Sequence, residues 1–166
     1  MNELKLTRII IYFMNGFFVA QTAWYFPNLP QNIVTHFNAF GEPDGWMQKN
    51  NFLIFEAVFL FSIISLFSIV PFLIGKMPDS PINLPSYMAL KSSWQRRTQT
   101  ALVVRVYFEW LSIALAVMFI GINQLVFRAN ISGKNISPGS WLIIGTFIIF
   151  VILWMIKFVR QFKIEQ

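Results

Sequence analysis

Four long apolar runs constrain this chain more than any other feature of its sequence. They cover about residues 9–26, 52–74, 101–127 and 141–158, and an α-helix needs roughly 20 apolar residues to cross a lipid bilayer. Hydrophobic residues make up 56% of the chain and charged residues 12%, whereas charged residues make up about 25% of a typical soluble domain. We therefore expect an all-α, polytopic membrane protein in which residues 1–166 form one domain of four transmembrane helices.

The lysines and arginines are divided unevenly between the two ends of these runs. One end receives three of them, namely Lys49, Arg128 and Lys134. The other end receives the remaining ten, namely Lys5, Arg8, Lys76, Lys91, Arg96, Arg97, Arg105, Lys157, Arg160 and Lys163. Positive residues are enriched in cytoplasmic segments, so we predict that both termini and the loop 75–100 lie on the cytoplasmic side of the cell inner membrane. The net charge of +6 then reflects membrane orientation, and no nucleic-acid partner is predicted.

The loop between the first two runs, residues 25–49, concentrates polar and turn-forming residues between two apolar segments. It contains His36, which is the single histidine of the chain. The segment 33–37 suits either a helical turn or a strand-like stretch at the membrane surface. The segment 42–45 has proline in its second position and glycine in its fourth, which favours a type I turn. We therefore expect a structured loop on the outer side of the membrane.

The same loop resembles a known family. Tyr-Phe-Pro-x-Leu-Pro from Tyr25, then Thr-His-Phe-Asn-x-x-Gly-Glu-Pro-Asp-Gly-Trp from Thr35, and then Lys49 are similar to the signature of a bacterial membrane-domain family of unknown function. That domain also forms the N-terminal part of the Sdp immunity and signalling protein (SdpI-like proteins). The resemblance implies a partner-binding or loop-structuring role for the motif positions, which are Pro30, His36, Asn38, Gly41, Pro43, Asp44, Trp46 and Lys49.

The polar residues of this loop allow three interpretations. His36 and Asn38 can satisfy backbone groups of the loop itself, which is common turn chemistry. The loop can instead recognise a protein or peptide. His36 and Asp44 are also candidate metal ligands, although zinc sites normally have three or four strong ligands. The sequence names no cofactor.

Glu56, Arg105 and Glu109 are charged residues that lie several positions inside the apolar runs. Glu56 lies about one helical turn into the second run, where a carboxylate is costly unless it is paired, protonated or facing water. Its candidate partners on the same side are Lys49, Arg128 and His36. Arg105 and Glu109 are four residues apart, so they share one helix face and are expected to form a salt bridge.

The leading functional interpretation is a non-enzymatic protein: an accessory subunit or a signalling/immunity-type component that recognises a partner through its outer loop. The alternative is a small transporter or a metal-dependent membrane enzyme centred on His36, Asp44 and Glu56. Arg96 and Arg97 form a cytoplasmic basic patch that either sets topology or binds anionic lipid or an acidic protein. The predicted partners are the lipid bilayer and either another protein or a second copy of the chain.

Overall fold

The computed structural model describes residues 2–76 and 94–161 of the chain. Within these residues the chain forms four long helices and one small sheet. In order they are α1 (Asn2–Tyr25), β1 (Asn32–Phe37), β2 (Pro43–Gln48), α2 (Lys49–Lys76), α3 (Trp94–Ser132) and α4 (Gly139–Gln161). A short 3-10 turn, Phe26–Asn28, joins α1 to the sheet.

Three stretches of the described residues are long and apolar enough to cross a membrane. They are Lys5–Asn28, Ala101–Ser132 and Gly139–Gln161. The apolar side chains of the helices lie largely at the surface, and α4 exposes Leu142, Ile148, Ile149, Ile152, Leu153, Met155 and Ile156. A water-soluble protein rarely exposes a continuous apolar surface of this extent. The structure is therefore that of a mainly helical membrane protein with a small β-sheet.

The helices extend beyond the apolar runs that predict them. The third helix begins at Trp94 rather than near residue 101, so part of the predicted loop 75–100 is helical, and residues 77–93 of that loop lie outside the described part. Arg96 and Arg97 belong to the first turn of α3, and their side chains also lie outside the described part. Polar residues such as Arg and Gln are good helix formers. Apolarity therefore marks the segment within the membrane, whereas the helix continues past it.

Helix α3 is the centre of the bundle, because α1, α2 and α4 each pack against it. Thr7 of α1 contacts Glu109 of α3, and further along both helices Gln21 contacts Gln124. Helices α1 and α3 therefore run in the same direction. The sheet follows the last turn of α1 and precedes the first turn of α2, and we call this end of the bundle the hairpin end.

Strands β1 and β2 form an antiparallel hairpin with an irregular register after Val34. The chain reverses between Asn38 and Glu42, where the Asn38 amide donates to the Glu42 carbonyl at 2.9 Å. Gly41 lies within this turn with a φ of 80°, which glycine adopts without steric cost. The predicted type I turn over residues 42–45 is wrong, because residues 43–45 already belong to β2.

Proline and glycine have other functions in this strand. Pro43 is the first residue of β2, a position where a strand tolerates the missing amide hydrogen. Gly45 pairs with His36, and a Cβ atom at Gly45 would lie 2.9 Å from the His36 Cβ. Glycine is therefore required here by the close approach of the two strands. The turn was predicted at the wrong residues because proline and glycine are also frequent in turns.

Candidate functional site

A small apolar core attaches the hairpin to the helices. It consists of Leu29, Ile33, Phe52 and Phe127, and the side chains of Ile33 and Phe127 are fully buried. These residues come from the segment before β1, from β1 itself, from α2 and from α3. The hairpin therefore shares its core with the helix bundle.

Asn130 of α3 supplies polar contacts along one edge of the hairpin. Its Oδ1 accepts a hydrogen bond from the Val34 amide at 2.7 Å, and its Nδ2 donates to the Val34 carbonyl at 3.0 Å. The same Nδ2 donates to the Val126 carbonyl at 2.9 Å. One side-chain amide thus mimics a neighbouring strand and closes the edge of β1, an edge that would otherwise be free to pair with another chain.

Two further contacts fix the position of the hairpin. Lys49, at the start of α2, donates from Nζ to the Leu29 carbonyl at 2.9 Å and lies 4.6 Å from the centre of the Phe26 ring. On the opposite side, the Ile136 amide donates to the Gly41 carbonyl at 2.9 Å. The connection between α3 and α4 therefore holds the turn, and Lys49 joins the start of α2 to the segment before β1.

Asn38 organises the turn of the hairpin. Its Oδ1 accepts hydrogen bonds from the backbone amides of Phe40 at 2.9 Å and Glu42 at 3.0 Å, and its Nδ2 donates to the Glu42 carboxylate at 2.9 Å. The turn directs Phe40 outward, where 86% of this residue is exposed. Asn38 thus satisfies backbone groups of the loop, whereas Phe40 is displayed.

His36 and Asp44 form a pair across the two strands, from Nδ1 to Oδ1. Both side chains are exposed, His36 at 72% and Asp44 at 42%. Trp46 follows on the same strand as Asp44 and is 61% exposed. His36 therefore contacts a side chain rather than the backbone of the loop, and the outer surface of the hairpin combines an acid–imidazole pair with an aromatic ring.

An open cavity of about 530 Å³ lies between the hairpin and the start of α4. Its walls include His36, Phe40, Ile136, Ser140 and Trp141. Its rim carries imidazole, hydroxyl and aromatic groups at the end of the bundle. Volumes of this order are typical of sites for small molecules or short peptide segments.

The predicted enzyme or transporter centre combines Glu56 with His36 and Asp44, but Glu56 and His36 line different cavities. The Glu56 carboxylate is buried on α2 and accepts a hydrogen bond from Asn123 Nδ2 of α3 at 2.6 Å. The sequence analysis named Lys49, Arg128 and His36 as candidate partners of Glu56. The structure corrects this prediction, because the partner is the neutral amide of Asn123. Within residues 2–76 and 94–161, no group of three or more His, Cys, Asp and Glu residues is close enough to hold a metal ion.

A second polar cluster lies at the opposite end of the bundle. Arg105 donates to the Glu109 carboxylate at 3.1 Å, as the four-residue spacing predicts. Arg8 lies 3.6 Å from the same oxygen, and the Thr7 hydroxyl donates to the other oxygen. Only 9% of the Glu109 side chain is exposed. The cluster therefore joins α1 to α3, and sequence reasoning missed Arg8 and Thr7 because they are about a hundred residues away.

Asn130 was also missed by sequence reasoning about the site. The available signal was an amide residue three positions past the end of an apolar run, two residues after the positively charged Arg128. Such residues inside membrane helices usually face other protein segments. Only the folded chain shows that the segment in question is β1.

Two comparisons show what this chain is similar to. Residues 16–66 match the family described as "Domain of unknown function (DUF1648)", and this range contains the last part of α1, the whole hairpin and most of α2. An archaeal protein of Archaeoglobus fulgidus, named "Uncharacterized protein", is 34% identical over 122 residues. The alignment covers 67% of this chain and 66% of that relative. The chain thus spans just under two thirds of the relative's length.

No solved structure matches this chain. The matched range 16–66 contains every motif position that the resemblance singled out, from Pro30 to Lys49. The comparisons therefore support a membrane domain of unknown function with the hairpin at its centre.

Proposed function

We propose that this chain is a non-enzymatic membrane protein whose hairpin recognises a protein partner, so that it acts as an accessory subunit or a signalling/immunity-type component. The observation that carries the proposal is the combination of a fixed backbone and displayed side chains. Asn130, Lys49 and Ile136 fix the hairpin from three directions. Phe40 and Trp46 project from it and are largely exposed.

A fixed loop with exposed aromatic rings is well suited to recognition. Aromatic residues dominate the energetically important positions of protein interfaces. A surface that is already ordered avoids much of the entropy cost of ordering side chains and loops on binding. The polar pair His36–Asp44 beside Trp46 adds hydrogen-bonding groups that give directionality to such a contact.

The proposal includes a topology of four spans, with both termini and the loop 75–100 in the cytoplasm. Helix α2 has 28 residues, which is about 42 Å at 1.5 Å per residue and is enough to cross the hydrocarbon core. In the sequence, three lysines and arginines lie next to the predicted outer ends of the apolar runs and ten lie next to the other ends. This distribution favours an external hairpin in the cell inner membrane.

The hairpin motif also supports an SdpI-like membrane domain. Under this proposal, some motif residues shape the hairpin and others form its binding surface. Asn38, Gly41 and Lys49 shape the hairpin, whereas His36, Asp44 and Trp46 form its outer surface.

Site-specific photo-crosslinking in native membranes tests the proposal. A photoreactive residue at position 40 is expected to give one discrete protein adduct, and Trp46→Ala is expected to abolish this adduct without loss of helical circular dichroism. The matched control is position 149 of α4, where Ile149 is 61% exposed on the lipid-facing surface. If positions 40 and 149 give the same adducts, or if Trp46→Ala leaves the adduct intact, the hairpin is not the recognition surface.

A further inference from the structure

A groove lies between α1 and α2 near the hairpin end, and we call it the α1–α2 groove. Both helices use α3 as their main packing partner, which leaves an open space of about 580 Å³ between them. Most of its wall is apolar, with Phe18, Val19, Leu53, Leu60 and Phe61 among the lining residues. The polar side chains in this wall are Thr22 and Glu56.

Glu56 gives the α1–α2 groove a buried acid without a paired cation. The residue is 6% exposed, and Asn123, which donates to its carboxylate, is neutral. In the part of the chain that the structure describes, the salt bridges involve Glu109 and Asp44 and do not include Glu56. A carboxylate in apolar surroundings requires a proton or a cation to balance its charge.

Thr22 gives the same groove a second buried oxygen. The residue is 6% exposed, and its hydroxyl oxygen has no hydrogen-bond partner among the described residues. Buried hydroxyl groups nearly always have a partner, and in helices they commonly donate to the carbonyl four residues earlier. Thr22 thus lines the same groove as Glu56 and carries a buried hydroxyl without a partner among the described residues.

We propose that the α1–α2 groove binds a single-chain amphiphile whose polar group is a primary ammonium. The positive charge complements Glu56, and the three N–H groups of an ammonium leave donors for a second oxygen, for which Thr22 is the candidate. The hydrocarbon chain lies along the apolar wall formed by residues such as Phe18 and Leu60. This site is independent of the hairpin surface and is assigned from the groove alone.

The depth of the site favours a single-chain amine over an amine-bearing phospholipid. Glu56 lies seven residues beyond Lys49, where α2 begins, which is about 10 Å at 1.5 Å per residue. A phospholipid that placed its amine at this depth would also bring its phosphate into the apolar groove beside the Glu56 carboxylate. The cost of desolvating the phosphate and its repulsion from the carboxylate both oppose that arrangement.

Binding of dodecylammonium to the protein in phosphatidylcholine nanodiscs tests the proposal. Native mass spectrometry is expected to show one bound dodecylammonium, with an affinity at least about tenfold above that of dodecanol, since charge-assisted hydrogen bonds are the stronger kind. Glu56→Gln is expected to remove this preference, and Thr22→Val to weaken binding about threefold. Thr146→Val is the matched control, because the Thr146 hydroxyl bonds within α4 to Leu142.

Several outcomes would overturn the proposal. One is equal binding of dodecylammonium and dodecanol to the wild-type protein, and another is an unchanged preference in Glu56→Gln. Displacement of dodecylammonium by phosphatidylethanolamine at equal concentration would also overturn it. If Glu56→Gln does not fold, Ala57→Phe provides the second test, because Ala57 lines the groove and a phenyl ring there is expected to block binding. Unchanged binding to Ala57→Phe would exclude the groove as the site.

Discussion

The two ends of the helix bundle satisfy their buried polar groups with different chemistry. At the hairpin end, neutral amides bond the edge of β1 and the buried acid: Asn130 bonds Val34, and Asn123 bonds Glu56. At the opposite end, charged side chains bond the buried acid, because Arg8 and Arg105 both contact Glu109. Amides give directional contacts that define the shape of a loop. Charges give stronger contacts, and the arginines remain about half exposed and so can reach the polar membrane surface.

The two buried acids, Glu109 and Glu56, differ in whether a positively charged partner balances them. Glu109 has its negative charge balanced within the described residues, and its contacts hold α1 against α3. Glu56 has only a neutral partner among them and lines an open groove. The first acid is therefore explained by the stability of the bundle, whereas the second remains available for a ligand.

The largest expected effect is that of Glu109→Ala. Removal of one member of a buried charge network leaves the other members unpaired, at a cost of about 3 kcal/mol when the remaining charges keep partial access to water. We expect a loss of about this size in the free energy of unfolding, measured in detergent or bicelles. The control is Glu42→Ala on the exposed hairpin turn, for which we expect a loss below about 1 kcal/mol. Equal losses for the two variants would contradict a stabilising role for charge at the opposite end.

The next effect is that of Asn130→Ala. This change leaves the Val34 amide and carbonyl without the partner that they have in the structure, and a buried unpaired polar group costs about 1–3 kcal/mol. We expect a loss of about 2 kcal/mol and faster hydrogen exchange of the Val34 amide. Asn15→Ala is the control, because the bond that Asn15 makes among the described residues is to the Ile11 carbonyl of its own helix. Unchanged exchange at Val34 would show that the apolar core alone holds the hairpin.

The smallest effect concerns the pair His36–Asp44. Exposed ion pairs contribute about 0.2–1 kcal/mol, so a double-mutant cycle of His36→Ala and Asp44→Asn is expected to give a coupling energy of about 0.5 kcal/mol in stability. The measurement is thermal or chemical unfolding of both single variants and the double variant. A coupling above about 2 kcal/mol would mean that the hairpin end depends on charge as the opposite end does, and would remove the distinction between them.

Local patterns predicted those features in which the interacting residues are close in the chain. The apolar runs predicted the helices because spanning a bilayer requires length and apolarity. The spacing of Arg105 and Glu109 predicted their salt bridge because residues four apart share a helix face. The turn was misplaced because Pro43 and Gly45 are frequent in turns, whereas here they fit a strand edge and a close strand pair.

The amino-acid sequence by itself determined that lipid surrounds this protein, that long helices form, and that polar specificity lies between residues 25 and 49. These properties depend on composition and short-range spacing. The tertiary structure alone decided that Asn130 closes β1, that Arg8 joins Glu109, and that Glu56 and Thr22 line one groove. Each of these arrangements brings together residues that are more than 30 positions apart in the chain. The physical reason is that such partners are selected by the packing of α1 and α2 on α3, which no local pattern encodes.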